Sequence, residues 1–231
     1  MRIKIKEWDS EFFGFSIGVL DISSGISLKS ETNRDRTCSC VYVCSEDCDA
    51  LNTFKLRGYT STGVYELITF SKTLSDDVIF SDVDAYTSHE YGKLKRLGRL
   101  AGHTSRFKHD LRFLPHLDRL YDTWVQNSVE GSLADEVFIS SCDTEVTGLI
   151  TLKVDCDCGQ IGLLAVDELS QGKGLATNLL KSVESYCYRK KIFRINVATQ
   201  GDNIGATKCY LKNGYTVSER KYVSHYWRVD K

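Results

Sequence analysis

The stretch "LLAVDELSQGKGLATNLL" at 163–180 carries two glycines one residue apart, Gly172 and Gly174, where an apolar strand pattern hands over to a helical one. Missing Cβ atoms at such a handover let the backbone approach a ligand closely. Amide N–H groups that converge at a helix N-terminus suit phosphate, because the helix dipole favours anions there. Two phosphate-binding patterns fail on these residues. A Walker A loop needs Gly-Lys-Ser/Thr, but Gly174 follows Lys173 and no glycine precedes it at the required distance. A dinucleotide fingerprint needs a third small residue, and Thr177 stands in that place. The pattern that fits is Gln/Arg-x-x-Gly-x-Gly/Ala, met by Gln171, Gly174 and Ala176. Further on, Asn203 and Tyr210 are separated by two helical turns, so both project from one face.

These residues resemble the GNAT acetyltransferase superfamily. The 171–176 stretch looks like its acyl-CoA pyrophosphate loop, which implies cofactor contacts at Gln171, Gly172, Lys173, Gly174, Leu175 and Ala176. Upstream, "QIGLLAV" resembles the strand that pairs its backbone with pantetheine and points one amide at the thioester carbonyl. The resemblance thus implies contacts at Leu164, Ala165 and Val166, with the Ala165 backbone as oxyanion donor. One such donor is worth about 3–4 kcal/mol in the transition state. Downstream, "RINVATQGDNIGATKCYLKNGY" is similar to the last α/β unit, Asn-x-x-Ala-x-x-x-Tyr followed by Gly-aromatic, filled by Asn203, Ala206, Tyr210, Gly214 and Tyr215. Asn203, Ala206 and Tyr210 thereby join the cofactor set. Direct transfer in a ternary complex is implied, with acetyl-CoA as co-substrate, no metal, and Tyr210 as the general acid at the departing thiolate. A phenol, with an ordinary pKa of about 10, is protonated at neutral pH and donates without tuning. Cys209 would suit an acyl-enzyme, but neighbours on a helix point about 100° apart, so it is not expected to face the same carbonyl as Tyr210. The base stays open among Asp135, Glu136, His103, His225 and an ordered water.

A closer resemblance covers nearly the whole chain. "EWDSEFFGF", "KLRGY", "SRF" at 105–107, "LYDTWVQNSVEGSLAD", "QIGLLA" and "RINVATQGDN" look like the dTDP-fucosamine acetyltransferase family. That family acetylates the amine of a dTDP-4-amino-4,6-dideoxyhexose and carries an extra N-terminal α/β unit. The implied acceptor is a small-molecule amine, a dTDP-amino sugar, touched by Ser105, Arg106 and Phe107; an arginine suits a diphosphate. A protein N-terminus or a polyamine is the rival acceptor, and a non-catalytic acyl-CoA-binding module the rival class.

The elements that must hold these residues follow from periodicity. In an N-terminal α/β unit over 1–77, "IKIKEW", "CVYVC" and "GVYELITFS" read as strands, with a helix capped by Ser45 and closed at Gly58. "SKTLSDD" at 71–77 reads as the linker to the GNAT domain at 78–231. There, helices are expected over 88–101 and 116–129, then three strands with "CDTE" and "CDCG" as turns. A helix from 174 to 189, a strand at 193–199, a helix at 203–212 and one or two final strands complete a mixed α/β sheet. Lys93, Lys95, Arg96 and Arg99 read as a solvated helix face.

Thirty basic against thirty-one acidic side chains leave a formal net charge of −1, which argues against a nucleic-acid partner. "MRIKIKEWDS" shows no signal-peptide core and no apolar run reaches spanning length, so a cytoplasmic protein without a membrane partner is expected. Of nine cysteines, Cys38, Cys40, Cys44 and Cys48 cluster without a CxxC pair or nearby histidine, so packing is expected rather than zinc or disulfides. A final exposed strand would offer a homodimer edge.

Overall fold

The computed structural model describes residues 2–22, 38–75, 86, 91–142 and 145–229. They fall into unit 1, Met1–Ile68 with Glu219–Lys231, and unit 2, Thr69–Ser218. The expected domain boundary after residue 77 lies outside the described residues.

Unit 1 starts with β1 (Lys4–Ile5), α1 (Glu7–Phe13), β2 (Ile17–Asp21), β3 (Cys40–Ser45) and α2 (Cys48–Thr53). The chain then runs into β4 (Tyr59–Thr73), which crosses into unit 2. There it forms α3 (Tyr91–Ala101), α4 (Leu117–Val129), β5 (Glu136–Cys142), β6 (Glu145–Asp155), β7 (Cys158–Val166), α5 (Leu175–Arg189), β8 (Arg194–Gln200) and α6 (Ile204–Lys212). β9 (Thr216–Arg228) leads back into unit 1.

Local chemistry moved several expected boundaries in unit 1. The alternation of "IKIKEW" yields only a two-residue strand, because Glu7 and Asp9 open a helix that ends at Gly14 with φ 79°. α2 is capped by Asp47, whose carboxylate accepts the N–H groups of Asp49 and Ala50. Ser45, the expected cap, ends β3 and accepts the N–H of Asp47 instead. α2 stops at Thr53 because Phe54 turns extended, so Gly58, at φ 82°, serves the turn before β4 rather than closing the helix. Within the unit the strand order is β1-β2-β3-β9-β4, with β2 parallel to β3 and β3 antiparallel to β9. The final strand is single and interior, so it offers no edge to a second subunit. Its core gathers Leu20, Val41, Val43, Leu51, Phe54 and Tyr226. Cys38 is buried within that core and Cys40 is buried as well, while Cys44 and Cys48 are partly exposed.

Unit 2 orders its strands β4-β8-β7-β6-β5, antiparallel along β5-β6-β7 and parallel between β7 and β8. β6 is buried without interruption from Val146 to Leu152, the mark of a strand covered on both faces. α3 and α5 supply the covers, each packing on β6 and β7. Leu179, Leu180, Val183 and Cys187 form the buried stripe of α5, at the spacing the sequence predicts. The basic face of α3 is spent on ion pairs: Arg96 with Asp167, and Arg99 with Asp118 and Asp122 of α4. Among the described residues no helix is long and apolar enough to cross a membrane.

Burial pushes the Tyr186 phenol up to about 12, helped by Glu136, and the Cys187 thiol up to about 12. Tyr215 is pushed well above its ordinary 10.0 by burial and then by Glu184. The folded chain therefore keeps protons that the unfolded chain releases above the ordinary values of 9.0 and 10.0. Stability is fully present below that window and declines as pH rises through it. The melting temperature, followed at fixed ionic strength, is expected to fall steadily from pH 9 to 11; a flat profile would contradict this assignment.

Candidate active site

The ladder between β7 and β8 ends at Ile161, paired with Val197, while the ladder between β7 and β6 continues to Val166, opposite Gly148. Two bonds show which amides the remaining stretch of β7 turns toward β6. Leu163 N–H donates to Thr151 Oγ1 at 2.9 Å, and Asp167 N–H donates to the Thr147 carbonyl at 2.8 Å. Backbone groups alternate between the two edges of a strand, so Ala165, midway between these and opposite Leu149, also faces β6. Leu164 and Val166 face the edge that β8 has left. The Val166 carbonyl confirms the direction, since it accepts the side-chain amide of Gln171 at 3.1 Å. The oxyanion donor expected at Ala165 is thus committed to the β6 ladder, and the amides aimed at the vacated edge belong to Leu164 and Val166.

A cavity of about 390 Å³ borders that edge. β7 lines it with Leu164, Ala165 and Val166, the following loop with Gln171, and the first turn of α5 with Ala176. α6 contributes Asn203, Gly205, Ala206, Cys209 and Tyr210, and the end of α3 with the turn after it contributes Leu100, Ala101, His103 and Thr104. Gly172, Lys173 and Gly174 of the loop, and Leu175 at the start of α5, do not line the cavity. Gly172 and Gly174 stand at φ 76° and 84°, and a Cβ on either would meet nothing within 4 Å. The need for glycine is therefore conformational and not spatial. Gly174 is the N-cap of α5 and provides no side-chain cap, so the first amides of that helix are left for a ligand.

Asn203 caps α6 by accepting the Ala206 N–H at 3.1 Å. Its amide nitrogen donates to Thr199 Oγ1 at 3.0 Å and to Thr104 Oγ1 at 3.1 Å, which ties the turn after α3 to α6. The Tyr210 ring packs between Phe70 and Tyr215, with centroids at 5.4 and 6.1 Å. Burial, and then Cys209, push its phenol well above the ordinary range. Cys209 lines the same cavity, which takes in more than one face of α6. Its thiol is also raised by burial. Ser105, Arg106 and Phe107 do not line the cavity. The Ser105 hydroxyl accepts the Phe107 N–H at 3.3 Å, the Phe107 ring meets Phe113 at 4.9 Å, and the Arg106 guanidinium lies 4.3 Å from the Phe107 ring centre.

Of the bases left open by the sequence, Asp135 bonds Lys153 and the Val154 N–H, which hold its carboxyl below the ordinary range. Glu136 of β5 bonds Tyr186 of α5, and His225 is fully buried in unit 1. His103 lines the cavity. Leu100, Ala101 and Thr104 went unrecognised in the sequence, since nothing in an amphipathic helix end announces that its last turn forms a cavity wall.

Comparison with known proteins finds likenesses over the same region. Residues 104–215 match the acetyltransferase (GNAT) family model. The chain is 27% identical over 131 residues to the dTDP-fucosamine acetyltransferase of Escherichia coli O6:H1, covering 56% of each protein. It spans about half the length of the curated relatives it matches. Two solved structures share the fold. One is a GNAT-family acetyltransferase from Novosphingobium aromaticivorans, with a TM-score of 0.57, 11% identity, and 83% of this chain and 75% of that one covered. The other is the PaiA N-acetyltransferase of Thermoplasma acidophilum in complex with coenzyme A, with a TM-score of 0.50, 14% identity, and 64% and 99% covered.

Replacing Gly174 by valine is expected to cost about 1–2 kcal/mol through the left-handed backbone alone. Acetyl-CoA should then no longer raise the melting temperature as it does for the unaltered chain. An equal rise in both proteins would remove the loop from the binding site.

Proposed function

We propose that this chain, whose residues 104–215 match the acetyltransferase (GNAT) family model, is an acetyl-CoA-dependent N-acetyltransferase acting on a small amine. The observation that carries the reading is the vacated edge of β7, with the uncapped N-terminus of α5 beginning nine residues after it along one cavity wall. Acetyl-CoA supplies an activated acetyl group as a thioester. The residues fit it. Amides of Leu175 and Ala176 at the start of α5 suit its pyrophosphate, and the open edge at Val166 and Leu164 suits its amide-bearing arm. Val166 lies nearer the loop, so Leu164 is reached further along the arm. That order gives the thioester carbonyl to the Leu164 amide, which donates to the oxygen as it gains charge.

Tyr210 faces the cavity from α6 and donates to the leaving sulfur. A phenol pushed so high keeps its proton throughout the working range. It therefore passes that proton on only as another arrives from the substrate nitrogen, so no alkaline loss of activity near pH 9 should come from Tyr210. Likeness to the dTDP-fucosamine acetyltransferase supports a dTDP-linked amino sugar as acceptor. Use of acetyl-CoA fits a cytoplasmic enzyme. With Ser105–Phe107 set back from the cavity, we place them behind the acceptor wall as its support, the stacked Arg106 and Phe107 bracing the turn that carries Thr104.

Offered dTDP- and UDP-linked amino sugars, polyamines and peptides, the protein should release CoA thiol fastest with a dTDP-amino sugar. Preference for a polyamine or a peptide would replace the acceptor, and thiol release with none of them would leave a binding module. Tyr210→Phe should lower kcat by about 10²-fold or more at unchanged acetyl-CoA affinity; an unaltered kcat would remove Tyr210 from the chemistry.

A further inference from the structure

We infer that His103 is the catalytic base that takes the proton from the acceptor's ammonium group, an assignment that rests on the acetyltransferase reading above. An alkylamine reaches the enzyme as an ammonium, and only the neutral nitrogen attacks a thioester, so a proton must leave before the C–N bond forms. Among the described residues, three side chains with exchangeable acid protons line the cavity: His103, Cys209 and Tyr210. Cys209 and Tyr210 are both pushed up by burial, so near neutral pH they hold protons and accept none. Among the described residues no carboxylate lines the cavity. Imidazole is the side chain type that ordinarily titrates near neutrality. By elimination within the cavity, the accepting atom is a ring nitrogen of His103.

Its backbone is fixed from two sides. Gly102 seats against α4 so closely that a Cβ there would meet the Tyr121 ring at 2.4 Å. Thr104 Oγ1 accepts the Asn203 amide at the N-cap of α6. His103 stands between these two anchors in a three-residue 3-10 turn and lines the cavity that Tyr210 lines from α6. The residue is exposed, which gives the proton a way out to water. Charged and titratable groups on the elements packed about its turn include Arg99 of α3, held by Asp118 and Asp122 of α4, Tyr121 of α4 against Gly102, Arg106 over Phe107 in the following turn, the pair His109–Asp202 beside the α6 cap, and Cys209 and Tyr210 of α6 on the cavity. Asn203 thus has a second consequence. Its side chain sets the distance between the base-bearing turn and the acid-bearing helix.

The protons balance. His103 takes one from the ammonium, the nitrogen forms its bond to the acetyl carbon as the C–S bond breaks, and Tyr210 gives its proton to the sulfur. The nitrogen's surplus proton restores Tyr210, and His103 returns its own to solvent.

The test compares the unaltered chain with His103→Gln and His103→Ala, using a dTDP-linked 4-amino-4,6-dideoxyhexose as acceptor and thiol release as readout. kcat/KM for the acceptor at pH 7 should drop by about 10²-fold or more in His103→Gln. Its acidic limb should move up toward the amine's own pKa, with acetyl-CoA affinity by calorimetry unchanged. Added imidazole should return part of the rate to His103→Ala. The same kcat/KM and the same limb in both proteins would overturn the base while leaving the acetyltransferase reading intact. Thiol release by the unaltered chain with no amine at all would overturn that reading, and the assignment of His103 with it.

Discussion

Everything at the site follows from the parting of two parallel strands. β7 and β8 keep register as far as Ile161 and Val197, and beyond that point β7 has a partner on one edge only. Backbone donors and acceptors on a buried strand need partners, so an edge left open beside a cavity is costly unless a ligand completes it. Here the Val166 carbonyl is met by the Gln171 side chain, while the Leu164 amide faces the gap. Shape and chemistry coincide, because the same divergence that opens the cavity exposes the amides.

Three supports hold that geometry. The β6 ladder, through the Leu163 and Asp167 amides, fixes which backbone groups of β7 turn outward. Gly172 and Gly174 bring the chain around to start α5 with its first amides uncapped. Asn203 caps α6, reaches Thr199 at the end of β8 and holds Thr104 beyond α3, so one side chain ties two cavity walls to each other and to β8. Tyr210 is set by packing instead, with its ring between Phe70 and Tyr215.

Much of this was legible in the residues. The stripe Leu179, Leu180, Val183 and Cys187 predicts α5 and its buried face, and the Gln171–Ala176 pattern predicts the loop, because both signals are local. The direction of the Ala165 amide was not legible. It depends on register with β6 and on the bulge between Ile150 and Leu152, and both are long-range. Ser45 and Asp47 are equally good caps by type, and only the backbone turn chose Asp47. Cys209 reached the cavity beside Tyr210 because a cavity wall is wider than a single helix face. The walls given by Leu100, Ala101 and Thr104 carry no residue type that distinguishes them from an ordinary helix end.

The central claim is that the outward amides of β7 form the acyl-donor edge, and residue-resolved amide hydrogen exchange tests it most directly. Leu164 should exchange quickly without ligand and become protected when acetyl-CoA is added, together with Val166 and the first amides of α5, while Ala165 is protected in both states by the β6 ladder. Protection appearing at Ala165 with Leu164 unchanged, or no change along β7 at saturating acetyl-CoA, would contradict the account.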